Sequence, residues 1–533
     1  MTAYRRRAFV ALTLALVVAG CAGVHREPAR FASANAEVRA CAQNLRIIDR
    51  AIRRTGTRDA AGRVVAGFPY LRTDRFLASF VGTIAAPAQR MAWIERLRRF
   101  DLRARTLELA NLPAAARARL EERLGDGAPA DIAARCGARL MTADLKDTKT
   151  GQRLAMAVHP PDDYRGWSRF FGVYALTAIP VSMGYRRWKR KALRDFSTPL
   201  QTLDVTGRLI AYLPGAGSAP LEPAQVAALI TRAAANPLAI PEPSGGDLQR
   251  LLDAFAPVWQ VETKSGDDRI GAPKWGGDAR ANIDITRPEV YYVVSHTRWR
   301  GRILLQLSYA AWFPARPKSG ALDLLGGRFD GVIWRVTLDT DGRVLLYDSI
   351  HQCGCYHLFF PRADLAIRPE ANGANGEDGV TAPRSAPVVG PGERVIVRLA
   401  AGSHYIRNLG VWRNLGVWRN LGVWRNLGVW KESRAAPASD HRVVYRLINY
   451  DRLRSLPLPL GGRRSLFRPD GLVAGSARLE RFLLWPMGIK SAGAMREWGT
   501  HATAFVGHRH FDDADLLEKS FFIPSPTSER DGS

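Results

Sequence analysis

The chain has 533 residues, 46% of them hydrophobic, so it can bury sizeable cores and is too apolar to be an intrinsically disordered protein. Lysine and arginine outnumber aspartate and glutamate by 77 to 50, and the net charge of +27 favours anionic partners. The charge is spread along the chain, as a general enrichment in alanine and arginine would also produce, so it does not by itself mark a binding face.

The first 20 residues have the parts of an export signal. Residues 5–7 are arginines, and residues 9–18 are an apolar run too short to span a bilayer. The run ends in Val18-Ala19-Gly20-Cys21, which resembles the lipobox of bacterial lipoproteins, whose signal peptidase cleaves before an acylated cysteine. The resemblance implies a signal peptide over 1–20, lipidation of Cys21 and a tether over 21–36. A cleaved signal followed by an incidental cysteine is the alternative.

The same resemblance indicates a location in the cell envelope. Ala22 follows Cys21 where an aspartate would favour the inner membrane, so we expect lipid anchoring to the outer membrane, facing the periplasm or the cell surface. Residues 6–10 also resemble a twin-arginine export motif, although an ordinary basic start explains them as well. The anions of an envelope are lipid head groups, lipopolysaccharide and acidic glycans, and nucleic acid is not an expected partner.

Residues 37–200 are predicted to be mainly helical. Val38, Cys41, Leu45, Ile48 and Ile52 recur at spacings of three and four, and residues 76–97 and 102–124 repeat this pattern.

Residues 170–184 are almost wholly apolar and are followed at once by a basic run to residue 191. This order is typical of a segment lying in a membrane interface, and equally of a buried segment that leads into a solvated helix.

Residues 201–282 are predicted to form a mixed connecting region, with a strand at 203–212 and helices at 223–235 and 247–256. The period then changes to that of strands, and 283–490 is predicted to be a β-rich domain, followed by a C-terminal tail over 491–533. The predicted strands cover 290–296, 302–313, 332–338, 344–350, 394–400 and 442–449. The third and fourth flank Asp341-Gly342, a strong hairpin signal, and the loop 367–392 lacks periodicity. The predicted class is α+β, a helical N-terminal region followed by a larger antiparallel β-rich domain.

Residues 407–430 repeat Arg-Asn-Leu-Gly-Val-Trp four times without a mismatch. As a strand, this hexapeptide repeat would place Leu409 and Val411 on one face and Asn408 and Trp412 on the other. It is interpreted either as an arginine and tryptophan ladder for sugars or phosphates, or as a recent duplication tolerated in a surface loop. The perfect identity favours duplication, since repeats under different structural constraints would diverge.

The segment from Tyr347 to His357 carries the densest chemistry in the sequence. Side chains alternate along a strand, so His351, Cys353, Cys355 and His357 would share a face, and they are candidate ligands for zinc or copper or a candidate redox site. A straight strand spreads these four over roughly 20 Å, so a bend at Gly354 is needed to join the cysteines, with one histidine at most beside them. His296 is the first candidate for a further ligand.

Three interpretations of this segment stay open: a structural pair of cysteines, a metal site, and a nucleophilic or redox thiol. In an oxidising compartment we expect Cys41 to pair with Cys136 and Cys353 with Cys355, since each pair then stays within one region.

A basic and aromatic cluster near His296 is the candidate anion-binding face, with Arg298, Arg300, Arg302 and Arg316 as its residues. The first three are predicted to share a strand face and to clamp a phosphate or carboxylate, although a charged edge strand would give the same pattern.

No Walker loop, His-Glu-x-x-His helix, Gly-x-Ser-x-Gly elbow or dinucleotide fingerprint occurs in the sequence, which excludes the easily recognised NTPases, zinc proteases, α/β-hydrolases and Rossmann enzymes. The expected function is therefore binding or structural work on an anionic envelope component. The alternative is a periplasmic metal-dependent or thiol-dependent enzyme centred on His351, Cys353, Cys355 and His357.

Overall fold

The computed structural model describes residues 31, 34–146, 148–215, 219–320, 323–372, 379–413, 441–504 and 508–524. The predicted signal peptide, Cys21 and most of the predicted tether lie outside these residues, as does the part of the hexapeptide repeat after residue 413. Among the described residues, no helix is long and apolar enough to cross a membrane.

The N-terminal part of the described chain is helical, as predicted. Its helices are α1 (Ala36–Thr55), α2 (Arg75–Ala78), α3 (Pro87–Ala110), α4 (Ala114–Leu124), α5 (Pro129–Leu145), α6 (Thr148–Ala157), α7 (Gly166–Phe171) and α8 (Tyr174–Ser197). The predicted apolar stripe of α1, from Val38 to Ile52, is buried. Asn35 caps this helix by accepting a hydrogen bond from the Val38 amide at 2.9 Å.

A disulfide joins Cys41 of α1 to Cys136 of α5, which confirms the predicted pairing. The two cysteines are 95 residues apart in sequence, and both belong to the same core of buried side chains. The disulfide therefore closes a long loop around the core of the helical region.

One mixed sheet of ten strands dominates the rest of the molecule, in the order β11-β10-β9-β8-β7-β15-β3-β4-β13-β14. These strands are β3 (Arg208–Pro214), β4 (Val258–Thr263), β7 (Glu289–Trp299), β8 (Arg302–Arg316), β9 (Gly327–Leu338), β10 (Val344–His351), β11 (Leu358–Pro361), β13 (Arg394–Leu399), β14 (Ile406–Trp412) and β15 (His441–Asn449).

Four small two-stranded sheets accompany it. They pair β1 (Arg63–Val64) with β2 (Arg72–Thr73), β5 (Ala272–Trp275) with β6 (Ala281–Asp284), β12 (Ala366–Ile367) with β18 (Phe521–Phe522), and β16 (Leu456–Pro457) with β17 (Arg463–Arg464). The remaining helices are α9 (Pro223–Ala233), α10 (Gly245–Phe255), α11 (Glu480–Leu483) and α12 (Leu516–Ser520).

The predicted hairpin at Asp341-Gly342 joins β9 to β10. Gly342 has a φ of +81°, and a Cβ there would lie 2.0 Å from the carbonyl oxygen of Pro223, so both conformation and space require glycine. The turn therefore sets the register of the strands that carry the cysteine segment.

The α+β class is confirmed, but the sheet is not purely antiparallel. Strand β15 runs parallel to both β3 and β7, and β13 runs parallel to β4. Two of its strands, β3 and β4, come from the region predicted to be connecting. The chain between each pair of parallel partners is long enough to cross over the sheet, whereas a short hairpin can join only antiparallel strands.

The sheet is covered on both faces. The helices α8 to α10 pack on one face through a core that includes Phe196, Leu229 and Leu252. The other face packs against the C-terminal part of the chain, where Met495, Phe511 and other side chains of the predicted tail are buried.

The first hexad of the repeat forms β14 at the edge of the sheet. Asn408 and Leu409 are both buried, and the Asn408 amide donates hydrogen bonds to the carbonyl oxygens of Asp195 and Thr198 at the C-terminal end of α8. This hexad is therefore part of the sheet.

Candidate functional site

A cavity of about 440 Å³ lies in the helical region, between α1 and the β1–β2 hairpin. Six arginines line it together with only two carboxylates, those of Asp49 and Glu108. The arginines of this arginine pocket are Arg46, Arg50, Arg53, Arg58, Arg63 and Arg72.

The pocket arises from the helical period of α1. Arg46, Arg50 and Arg53 follow each other at spacings of four and three, which places them on one face next to the buried stripe. Both carboxylates are already paired, because Arg105 contacts Asp49 at 2.6 Å and Arg72 contacts Glu108 at 3.0 Å. The lining of the pocket therefore has too few carboxylates to neutralise its arginines.

Arg72 is 2% exposed, and its Nη1 has no hydrogen-bond acceptor among the residues that the structure describes. Burial disfavours the charge of Arg72, but the carboxylates of Glu108 and Asp101 outweigh this and raise its pKa. The guanidinium is thus charged, buried and short of an acceptor, a condition that costs free energy unless a ligand or water supplies one.

Arg50, Arg53, Arg58 and Arg63 form no ion pair with any described carboxylate. Partial burial of its guanidinium, and then the positive charge of Arg72, lower the pKa of Arg58. The pocket therefore has a positive potential that an anion would relieve.

Part of the pocket lining is apolar. Phe31, Ile52, Val65 and Phe68 line the same cavity, and each is at most 3% exposed. The arrangement combines charge-assisted hydrogen-bond donors with a surface that accepts hydrocarbon.

The cysteine segment forms a tight turn between two paired strands. Strand β10 ends at His351, β11 begins at Leu358, and Gly354 between them has a φ of +86°, so the predicted bend is present. Cys353 and Cys355 are buried side by side as free thiols joined by a hydrogen bond. The expected disulfide between them is absent, which corrects that prediction: closing a ring over one intervening residue would strain it, whereas thiols in contact need no such closure.

His351 belongs to a buried His–Asp cluster made of Asp268, Asp330, His351, His404 and Arg478. Asp330 is 0% exposed and accepts hydrogen bonds from His404 Nδ1 at 2.9 Å and from Arg478 at 3.2 Å. Burial acts against its charge, but Arg478 and the two histidines outweigh it and hold the pKa of Asp330 well below its usual range. The cluster is thus built around a charged, fully buried carboxylate.

His357 lies in a different environment. Its Nε2 is 2.9 Å from Asp348 Oδ2, and Arg335 holds the same carboxylate with two hydrogen bonds of 2.9 and 2.5 Å. Burial lowers the pKa of His357 to about 4. Asp348 and His351 are three residues apart on β10 and so point to opposite faces of the sheet, which separates the two histidines.

The predicted fifth ligand, His296, lies in a third place. Its Nε2 is 2.7 Å from the carbonyl oxygen of Pro241, and its ring packs on Phe76. Within the described part of the chain, no group of three or more His, Cys, Asp or Glu side chains is arranged to hold a metal ion.

The two thiols differ in acidity. The hydrogen bond donated by Cys355 outweighs burial and lowers the pKa of Cys353, with help from the positive charge of Arg478. The same hydrogen bond, together with burial, raises the pKa of Cys355. Cys353 is therefore the more easily ionised thiol of the pair.

The predicted arginine face is divided by a hairpin. Trp299 pairs directly with Arg302 across the two-residue turn Arg300-Gly301, so Arg298 and Arg302 point to opposite faces of the sheet. This corrects the prediction that Arg298, Arg300 and Arg302 share a face, because the turn interrupts the alternation of side chains between them.

The four arginines of that face have separate partners or surroundings. Arg298 donates to the Ser79 hydroxyl at 2.9 Å, Arg302 donates to Thr340, and Arg300 is exposed in the turn. Arg316 lies at the far end of β8, about 46 Å along the strand from Arg302, and donates to the Tyr405 hydroxyl.

The sequence contained a signal for the arginine pocket that the prediction did not use. Arg46, Arg50 and Arg53 follow the period of the predicted helix and sit beside its apolar stripe. No comparable signal exists for the His–Asp cluster, since Asp268, Asp330, His404 and Arg478 come from distant parts of the chain.

Comparison with protein-family models, curated proteins and solved structures found no match.

Proposed function

We propose that this protein is an exported envelope lipoprotein, anchored through Cys21, that binds the anionic head group of an envelope amphiphile in the arginine pocket. The buried guanidinium of Arg72, with Nη1 lacking an acceptor among the described residues, is the observation that carries the proposal. It supports a ligand because a buried donor without a partner is costly.

The chemistry of the lining suggests the ligand class. Guanidinium groups bind phosphate and carboxylate oxygens through paired hydrogen bonds, so the head group is a phosphate or a carboxylate. The apolar wall around Phe31 and Phe68 favours a head group attached to hydrocarbon over a free inorganic ion. Anionic lipids and lipopolysaccharide combine these two parts.

The position of the pocket in the chain agrees with a ligand that comes from the membrane. Phe31 lines the cavity and is ten residues beyond Cys21. Ten residues span at most about 36 Å when the chain is fully extended. A lipid at Cys21 would keep the pocket within that reach of the anchoring membrane.

The test uses the chain from residue 22 onward, which retains every described residue, and dodecyl phosphate kept below its critical micelle concentration. We expect calorimetry to detect binding of dodecyl phosphate, weaker binding of inorganic phosphate and no binding of dodecanol. Arg50→Gln with Arg53→Gln should weaken binding of dodecyl phosphate roughly 100-fold, as two charge-assisted contacts are lost.

Arg119→Gln with Arg343→Gln is the matched control, because both side chains are exposed and outside the pocket lining. Equal affinity of the control and pocket variants for dodecyl phosphate, or no binding by the parent chain, would reject the proposal.

A second candidate function, thiol-dependent catalysis, is favoured by the pair of free thiols next to Arg478, in which Cys353 is the more acidic. A thiolate at Cys353 would be the nucleophile. Treatment with iodoacetamide near neutral pH, followed by peptide mass spectrometry, should label Cys353 before Cys355, and Cys355→Ala should slow that labelling. Equal labelling of both cysteines would speak against this function.

A further inference from the structure

Large apolar side chains are exposed together where α7 and the start of α8 meet residues 485–487, which follow α11. Phe170 is 78% exposed, Phe171 71%, Phe482 65% and Trp167 58%. With the exposed side chains around them they form the aromatic patch, which consists of Trp167, Phe170, Phe171, Val173, Phe482, Leu483 and Trp485. Contiguous exposed aromatic surface of this kind is uncommon on a protein that meets only water.

The aromatic patch is one surface although its two halves are about 300 residues apart in sequence. The amide of Arg165 donates to the carbonyl oxygen of Gly488 at 2.7 Å, and the rings of Trp167 and Trp485 lie 6.4 Å apart. A Cβ on Gly172 would lie 2.6 Å from the side chain of Pro486, which shows how closely the two segments approach. The packing holds the aromatic side chains outward.

A stripe of positive charge continues from this patch along α8. Its exposed residues follow at spacings of three and four, so they lie on one helix face. This basic stripe consists of Arg186, Arg187, Arg190, Lys191 and Arg194, and it extends for about 12 Å. The opposite face of α8 packs inward through Tyr185 and Phe196.

The cations of the stripe have no ion-pair partner among the residues that the structure describes. Within the patch itself, the guanidinium of Arg481 lies 4.5 Å from the ring of Phe482. The surface therefore presents aromatic side chains and uncompensated positive charge side by side.

From this combination we infer that the aromatic patch and the basic stripe dock on an anionic phospholipid bilayer. Tryptophan and phenylalanine favour the interface between head groups and acyl chains, and nearby cations bind lipid phosphates. A protein partner fits less well, because the cores of protein interfaces are depleted of charged residues, whereas lipid phosphates pair with a row of cations. The inference is independent of the arginine pocket and adds a second contact to the tether at Cys21.

The test measures partitioning of the chain from residue 22 onward onto vesicles by flotation. We expect binding to vesicles of phosphatidylglycerol and phosphatidylcholine, weaker binding at high salt, and little binding to phosphatidylcholine alone. Trp167→Ser, Phe170→Ser and Phe171→Ser together should lower the partition coefficient roughly 100-fold or more, because three aromatic side chains no longer leave water. Val388→Ser with Leu460→Ser is the control, since these residues are 92% and 96% exposed elsewhere.

The charge contribution has its own pair of variants. Arg187→Gln, Arg190→Gln and Lys191→Gln together should weaken binding to anionic vesicles roughly 100-fold at low salt, at about 1 kcal/mol for each cation near the surface. Arg119→Gln, Arg343→Gln and Lys264→Gln remove the same number of exposed cations elsewhere and should leave binding unchanged. All of these side chains are exposed, so a thermal unfolding midpoint equal to that of the parent verifies folding.

Absence of vesicle binding by the parent, or equal binding by the aromatic and control variants, would overturn the inference. Self-association of the parent that the aromatic substitutions abolish, without vesicle binding, would assign the patch to a second copy of the chain. A variant of the arginine pocket distinguishes this inference from the proposed function. Arg50→Gln with Arg53→Gln should still bind vesicles, whether or not dodecyl phosphate binds the parent.

Discussion

Replacing Asp348 by asparagine removes the only formal negative charge that contacts Arg335 among the described residues. Both side chains are at most 1% exposed, and Arg335 otherwise donates to the carbonyl oxygen of Phe511 and lies 3.7 Å from its ring. Asparagine keeps the size of the side chain but leaves a buried guanidinium without a counter-ion. Breaking a buried ion pair in this way costs about 3 to 5 kcal/mol.

The assay is urea unfolding monitored by tryptophan fluorescence. The compared quantity is the free energy of unfolding for the transition in which the sheet unfolds. Asp364→Asn is the matched control, because Asp364 pairs with Arg362 at 2.7 Å but is 46% exposed. An exposed pair contributes about 0 to 1 kcal/mol. If Asp348→Asn cost no more than Asp364→Asn, the argument that the buried pair holds β9 and β10 together would be refuted.

Three further predictions concern the His–Asp cluster, the disulfide and the cysteine turn. Burial acts to lower the pKa of His404, but Asp268 and Asp330 outweigh it and raise that pKa above its ordinary value of about 6.5. The stabilisation by His404 is therefore fully present below pH about 6.5 and is lost as the pH rises through the folded-state pKa. The difference in free energy of unfolding between the parent and His404→Gln, measured in urea across this range, should shrink with rising pH. A difference that grows with pH would contradict the raised pKa of His404. Cys41→Ala with Cys136→Ala should destabilise the helical region by about 4 to 5 kcal/mol, measured by circular dichroism in urea, since a loop of 95 residues is no longer closed in the unfolded chain; an unchanged midpoint would argue against the disulfide. Gly354→Ala should lower the thermal unfolding midpoint more than Gly402→Ala. Both glycines have a positive φ, but only at Gly354 would a Cβ meet a backbone atom, the carbonyl oxygen of Ala502 at 2.6 Å. Equal effects of the two substitutions would mean that the turn can shift.

Local patterns in the sequence predicted most of the individual elements. The apolar spacing from Val38 to Ile52 identified α1, and the glycine of Asp341-Gly342 identified the β9–β10 hairpin. Each of these signals depends on residues within one helix or one pair of strands, so no knowledge of the rest of the chain is needed.

The predictions of the candidate sites were less complete, because the partners of a site residue come from distant parts of the chain. A bend at Gly354 was predicted correctly because glycine alone marks it, but the partners of the flanking histidines were not, since Asp330 and Asp348 lie on opposite faces of the sheet. The division of Arg298 from Arg302 followed from a two-residue turn at Arg300-Gly301 that charge patterning did not reveal.

The sequence by itself determined the helical start, the strand-rich remainder, the pairing of Cys41 with Cys136 and the bend between the two free cysteines. Tertiary structure alone decided the parallel pairing of β15 with β3 and β7, the arrangement around Asp330, and the union of Phe170 with Phe482 in one exposed patch. The physical reason is range: periodicity and turn chemistry act between neighbours, whereas burial of a charge or exposure of an aromatic surface depends on which distant segments pack together.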